Sequence, residues 1–380
     1  MIYDAIIIGG GSAGLACAIK LSQKNINSIC LIDENEYLGG ILLQCIHDGF
    51  GLERFKEELT GPEYAERLIE DLNSNITIKN ETTVLKITQD KKVFYVNPKE
   101  GYQVIAGRTI IVAVGCLERT WGQIQIPGDR PSGILTAGLA QRYLNIEGYH
   151  IGKRVFILGS GDIGLIMARR LTLSGATVLG VAEIAPYSNG LKRNIVQCLE
   201  DFNIPLHLSH TVTKVKGKKR LEKIILSKVD VSYNPIPGTE NEIDCDTLLL
   251  SVGLIPDTRI LKSISIKIDP KSKGPIVNQR LETNVPGIFV CGNGLHVHDL
   301  ADKASYEGEI AANSAYHYLM NPSLENQNIN VITDNDISYI VPQVISLQYD
   351  DDFHIFFRTK RPITNGILNI KQKHTILKSI

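Results

Sequence analysis

The chain has no Cys-x-x-Cys pair, one tryptophan, three methionines, no excess of either charge and no long apolar run. Its seven cysteines (17, 30, 45, 116, 198, 245, 291) are odd in number and scattered, which fits reduced thiols and argues against a disulfide framework. Forty Lys and Arg balance 41 Asp and Glu for a net charge of -1 and a pI near 6.8. With charges spread along the whole length, neither a nucleic-acid footprint nor a polybasic membrane face is indicated. No apolar stretch reaches the roughly eighteen residues that span a bilayer, and residues 1–8 lead straight into a strand without a basic n-region or cleavage site. The expected setting is cytoplasmic, with small molecules or proteins as partners.

What is present begins with length. At 380 residues the chain exceeds what one core usually supports, so two domains and a small appendage are expected. A repeat is visible: Asp4-Ala5-Ile6-Ile7-Ile8-Gly9-Gly10-Gly11-Ser12-Ala13-Gly14 is echoed by Arg154-Val155-Phe156-Ile157-Leu158-Gly159-Ser160-Gly161-Asp162-Ile163-Gly164. Each is an apolar run, as in a strand buried on both faces, followed by a glycine loop and a helical pattern. The second strand of each unit ends in an acid, Asp33 or Glu183, 19 residues after the last glycine of its loop in both cases. That spacing lets a carboxylate reach the ribose of a dinucleotide whose pyrophosphate rests on the helix N-terminus. One such glycine motif is weak; two with matched acids point to two dinucleotide sites.

Further along, Ile76 to Val96 is strand-rich, and the apolar strands Thr109–Gly115, Thr247–Gly253 and Gly287–Asn293 each end at or just beyond glycine. Pro127-Gly128 looks like a hinge between the halves. Residues 321–380 turn polar and then alternate, reading as a small β appendage.

Taken in order, Gly9–Gly14, Val112-Ala113-Val114-Gly115, Gly159–Gly164 and Thr283–Asn293 resemble the pyridine nucleotide:disulfide oxidoreductase superfamily in its shorter, thioredoxin-reductase-like form. The resemblance implies an α/β fold of two Rossmann-like domains. A discontinuous FAD domain (1–118 and 247–320) would enclose an NAD(H) domain (119–246), followed by the appendage (321–380). Gly39–Gly51 and Gly292–Leu300 narrow the resemblance to FAD/NAD-dependent oxidoreductases that accompany glycerol-3-phosphate dehydrogenase-type flavoproteins, with α subunits of amino-acid dehydrogenases and sarcosine oxidases more distant. The cofactor residues so implied are Gly9, Gly11, Ser12, Ala13, Gly14, Asp33, Glu34, Gly40, Val84, Ala113, Gly115, Gly292 and Asn293 for FAD. For NAD(H) they are Gly159, Gly161, Asp162, Ile163, Gly164 and Glu183, with Gly253 following.

Two departures matter. Asn293 stands where the superfamily commonly has Asp; an amide can still hydrogen-bond ribityl hydroxyls. Only Cys45 follows Gly39-Gly40, so the redox dithiol of the disulfide reductases is missing. The tail has no cysteine, so any iron-sulfur cluster must come from a partner.

Among individual residues, Glu183 favours NADH over NADPH, while Lys192 and Arg193 offer a rival phosphate site. Cys45, His47 and Asp48 lie in a loop that by resemblance nears the flavin; Cys45 reads equally as a flavin-tuning thiol or as a packed small hydrophobe. His296 and His298 precede a helix expected over Leu300 to about Tyr318 with Asp299 as N-cap. By resemblance that helix start nears the flavin, where its dipole would stabilise the reduced form. A metal site is not expected, because no third ligand accompanies the histidine pair. The expected function is an FAD-dependent, NAD(H)-linked oxidoreductase exchanging electrons with a partner dehydrogenase flavoprotein, an iron-sulfur protein or another small redox protein. A self-contained NADH:acceptor reductase or oxidase and a non-enzymatic assembly subunit are the alternatives, and a homo-oligomer is left open.

Overall fold

The computed structural model describes residues 2–321, 328–349, 352–373 and 375–380. The strand Ile2–Ile8 runs parallel to Ile29–Ile32 on one side and to Gly101–Val112 on the other. Ala5 to Ile8 are all apolar and all buried, as a strand covered on both faces requires. Thr77–Lys79 extends the sheet past Ile29–Ile32. The long strand Gly101–Val112 is shared along its other edge: its first half takes Lys92–Asn97 antiparallel, and its last three residues take Ile288–Val290 parallel. With Thr83–Ile87 the sheet has seven strands. Residues beyond 287 thus complete a sheet begun at residue 2, and the first domain is discontinuous.

The second domain repeats the plan. Five parallel strands lie in the order Ile134–Thr136, Thr247–Leu250, Arg154–Leu158, Thr177–Glu183, Leu206–Leu208, and a meander of His210–Lys216, Lys223–Lys228 and Asn241–Asp244 covers one side. Thr247–Leu250 was expected to open the second part of the FAD domain, but it pairs with Arg154–Leu158 inside the second sheet. The crossing lies a few residues later, where Leu254–Pro256 runs antiparallel to Cys116–Glu118. Pro127-Gly128 is likewise no free hinge. Val215 donates its N–H to Pro127 O at 3.0 Å, and a Cβ on Gly128 would fall 2.0 Å from Val215 O.

The helix Ala301–Met320 lies against Ser12–Gln23, where a Cβ on Gly308 would come within 2.1 Å of Ala13 O. Its N-cap is Leu300 without a side-chain cap. Asp299, the expected cap, instead takes Arg358 at 2.7 Å, because a charged partner on the neighbouring appendage strand competes for the carboxylate. Among its described residues the appendage has three antiparallel strand pairs, and Val341 anchors it in the core of the first domain.

Candidate functional site

In the first loop the chain turns at Gly9 with φ +106°, and a Cβ there would lie 2.3 Å from Ala113 O. Gly14 is pressed just as closely, 1.8 Å from Gly9 O by the same measure, whereas the space beside Gly11 is open to beyond 4 Å. Tight glycines hold strand and helix together, and the open one leaves backbone N–H groups at a helix N-terminus accessible to phosphate. Ser12 and Ala13 form the first turn of that helix. Gly40 approaches Gly11 from the next loop, and Ala13 backs Gly292. Gly115 (φ +75°) also faces open space.

Asp33, 6 % exposed, closes this cradle. Its Oδ2 accepts the N–H of Gly10 at 2.6 Å, and its Oδ1 accepts Asn35 N at 2.8 Å and Asn35 Nδ2 at 3.0 Å. Glu34 beside it is exposed. Val84 sits on Thr83–Ile87 just past Thr82, whose N–H bonds Asp33 O at 2.8 Å. Asn293 uses its amide in both senses: Oδ1 accepts His298 N at 2.9 Å, and Nδ2 donates to Cys116 Sγ at 3.7 Å.

The second cradle is built alike. A Cβ on Gly159 (φ +100°) would meet Ser251 O at 2.0 Å, and one on Gly164 would meet Gly159 O at 2.6 Å, while Gly161 has nothing nearer than Ser251 Oγ at 3.8 Å. Glu183 is buried, so it is no mere surface acid. Its Oε2 accepts Ser160 N at 3.0 Å and Ser160 Oγ at 2.8 Å, and its Oε1 accepts Ala185 N at 3.1 Å. Asp162 Oδ1 is taken up by Leu191 N and Asn194 Nδ2 at 2.8 and 2.7 Å, which ties its helix to the next. Ile163 packs on the second core. Gly253 belongs to the interdomain ribbon, its carbonyl accepting Arg119 N at 3.0 Å. Both cradles have the shape a dinucleotide needs: constrained glycines behind, an open glycine in front and a held carboxylate at the side.

The loop Gly40–Gln44 docks on the second domain, with Gln44 Nε2 donating to Gly138 O at 2.8 Å and Gln141 Oε1 at 3.1 Å. Burial pushes the Cys45 thiol up to about 12, and its Sγ points at Ile41 O, 3.2 Å away. Cys45 is half-buried, and its Sγ also lies 3.8 Å from Gln141 Oε1. His47 lies against Phe50 with ring centroids 5.1 Å apart, and burial lowers its pKa, opposed by Asp48 and reinforced by Arg193. Asp48 is exposed. Arg193 rests over Gly49, and with Lys192, Leu300 and Asp302 it lines an interdomain cleft of about 380 Å³.

His296 and His298 form a separate group with a residue sequence reasoning missed. Glu307, fully enclosed on the helix Ala301–Met320, accepts His296 Nε2 at 3.0 Å, His298 Nε2 at 3.1 Å and Gly292 N at 2.6 Å. The absence of a third ligand, on which the expectation of no metal rested, is therefore overturned: the three side chains bring their ligand atoms within 4.8 Å of one another. The one available signal was a Glu inside the helix following His-x-His.

Residues 3–308 match the model of the pyridine nucleotide-disulphide oxidoreductase family. The chain is 27 % identical over 347 residues to mitochondrial dihydrolipoyl dehydrogenase of Homo sapiens, covering 81 % of this chain and 65 % of that protein. It therefore spans about two thirds of the length of these dehydrogenases. A ferredoxin–NADP reductase of Picrophilus torridus is 25 % identical over 317 residues (81 % of this chain, 88 % of that one). Subunit HcnB of hydrogen cyanide synthase from Pseudomonas protegens is 23 % identical over 337 residues (82 % and 70 %). Among solved structures, thioredoxin reductase of T. acidophilum superposes with a TM-score of 0.67 at 23 % identity, covering 84 % of this chain and 99 % of that one, a likeness of fold. The chain belongs to the pyridine nucleotide-disulphide oxidoreductase family, whose enzymes bind FAD and NAD(P)H.

Proposed function

We propose that the chain is an FAD-dependent, NADH-linked oxidoreductase that exchanges electrons with a partner dehydrogenase flavoprotein acting on glycerol 3-phosphate, a hydroxy acid or an amino acid. The observation that carries this reading is the pair of like cradles, each with its acid bonded to its own glycine loop. FAD, when bound, supplies the hydride and electron chemistry. Gly9–Gly14 and Asp33 would hold its pyrophosphate and ribose, Asn293 its ribityl chain, and Gly159–Gly164 with Glu183 the nicotinamide dinucleotide. Glu183 favours NADH, since a carboxylate accepts both ribose hydroxyls and repels a 2'-phosphate. The seven cysteines are all free, and Cys45, nearest the place a redox thiol would occupy by resemblance, is half-buried with its thiol pushed up to about 12. Electrons then leave to an external acceptor. The relative HcnB, named as a subunit of a larger enzyme, supports a partner chain in that role.

Anaerobic titration of the purified protein tests this. NADH is expected to bleach the flavin absorbance stoichiometrically and NADPH only at much higher concentration; equal reduction by NADPH overturns the nucleotide assignment. On readmitting air, slow reoxidation is expected. Rapid multiple turnover with oxygen makes the chain a self-contained NADH oxidase instead.

A further inference from the structure

Charge is uneven toward the last residues of the chain. Residues 353–380 hold six Lys and Arg and no acidic side chain, which leaves 34 Lys and Arg against 41 Asp and Glu in residues 1–352. Two of the six cations are taken, Arg358 by Asp299 at 2.7 Å and Arg361 by Asp336 at 3.3 Å. Lys371, Lys373 and Lys378 lie on or beside the antiparallel pair Asn369–Gln372 and Thr375–Ser379, and none has a carboxylate partner among the described residues. All of Thr375–Ser379 is exposed, with Ile376 at 53 % and Leu377 at 61 %, and in Asn369–Gln372 only Ile370 is partly covered. Ile370 stands opposite Lys378, and Lys371 opposite Ile376, so an aliphatic and a cationic side chain share each face. A lone two-stranded hairpin is marginal in water, and the aliphatic side chains of this one are buried only by a surface that covers them.

A surface of opposite sign lies on the helix Gly61–Glu70. Its start is satisfied by a capping box between Thr60 and Glu63. Its end is not: Glu70 is the last residue and Asp71 the C-cap, where the helix dipole is negative and disfavours acids. Glu66 and Glu70, four apart, are like charges on one face and repel each other. Arg67, the cation of the last turn, is taken by Glu57. Among the described residues no cation pairs with Glu66, Glu70 or Asp71, and all three are exposed. Ile69, 36 % exposed, sits among them. What this face lacks, unpaired cations beside exposed aliphatic side chains, is what the hairpin carries.

We propose that the hairpin is a docking arm for a second copy of this chain, its Lys371, Lys373 and Lys378 meeting Glu66, Glu70 and Asp71 of that copy while Ile376 and Leu377 cover Ile69. Under a two-fold axis the exchange is reciprocal, so one closed dimer uses both arms and both acidic faces. Opposite charge steers the copies together, and removal of the aliphatic side chains from water holds them. A nucleic acid or an anionic lipid would satisfy the lysines alone, whereas a second copy relieves the arm and the helix end together. The dimer does not depend on what the two cradles bind.

Light scattering on the purified full chain tests this. A mass of twice 42.0 kDa is expected at about 0.1 M salt, with dissociation as the screening length shrinks from about 10 Å to about 3 Å at about 1 M. Lys371→Glu with Lys373→Glu and Lys378→Glu is expected to give monomers, as is Glu66→Lys with Glu70→Lys and Asp71→Lys. Combining both sets is expected to restore the dimer, which also shows that the reversed chains fold. Carbodiimide coupling in a mixture of ¹⁵N-labelled and unlabelled chains is expected to join these lysines to those acids between copies. A monomer at the highest workable concentration overturns the proposal. So does a dimer that survives either set of reversals, a combined variant that stays monomeric while its far-ultraviolet dichroism matches the parent, or an assembly that keeps growing with concentration. A monomer that binds phosphatidylserine vesicles or duplex DNA through the three lysines makes the arm a polyanion-binding element instead. Flavin absorbance of the same samples decides the proposed function separately.

Discussion

The backbone N–H of Ser160 meets the carboxylate of Glu183 at 3.0 Å across 23 residues of chain, the same separation at which Gly10 meets Asp33 at 2.6 Å. In each loop the residue after the first glycine is pinned to the acid at the end of the next strand. The acid is thereby buried and oriented before any nucleotide arrives, which lowers the ordering cost of binding.

Glu183→Gln keeps the shape of that contact and removes its charge. NADH is expected to bind roughly tenfold to hundredfold more weakly, as for loss of charged hydrogen bonds of about 1.5–3 kcal/mol, and its advantage over NADPH to shrink. Fluorescence titration with both nucleotides measures this; an unaltered NADH affinity removes Glu183 from the site.

Glycines of the first loop should separate by role. Gly14→Ala forces a Cβ against Gly9 O and is expected to lower stability by about 1–3 kcal/mol. Gly11→Ala enters open space, so the apoprotein should melt within about 2 °C of the parent while retaining little FAD after gel filtration. Full FAD retention by Gly11→Ala would show that the pyrophosphate does not lie over this residue.

Cys45→Ala is expected to leave flavin reduction by NADH within about twofold of the parent, and Cys45 should resist alkylation at neutral pH, because only the thiolate attacks and burial holds this thiol up near 12. Rapid labelling of Cys45, mapped by mass spectrometry, would contradict that.

Acid stability should carry the signature of Glu307. Its pKa falls from an ordinary 4.5 to about 2 in the folded protein, so its contribution is fully present above 4.5 and is lost as pH falls from there through about 2. Urea unfolding between pH 5 and about 2.5 is expected to show a steeper loss in the parent than in Glu307→Gln. Parallel curves would mean that the carboxylate is not ionised in the fold.

Much of this was legible in the order of residues because the signals are local. Strand, glycine loop and helix follow one another within about fifteen residues at both Gly9 and Gly159, and a strand that shows apolar residues on both faces declares itself buried wherever it lies. Less legible was the crossing between domains. Thr247–Leu250 looks like any buried strand, and nothing in Thr-Leu-Leu-Leu says whether its neighbour is Arg154–Leu158 or Gly101–Val112. Asp299 misled for a related reason: a good N-cap residue was claimed by Arg358, which lies on a different element.

Local order thus decided that there are two dinucleotide loops, that each has an acid at the right remove, and that no Cys-x-x-Cys dithiol exists. Periodicity and spacing act over a few residues, where the backbone leaves little choice. Folding alone decided which contacts those residues make: Asp162 bound to Asn194, Cys45 set beside Ile41 O and Gln141, and Glu307 placed between His296 and His298. Burial of a charge, and the partner that makes it tolerable, depend on how separate elements close over it, and no local pattern carries that.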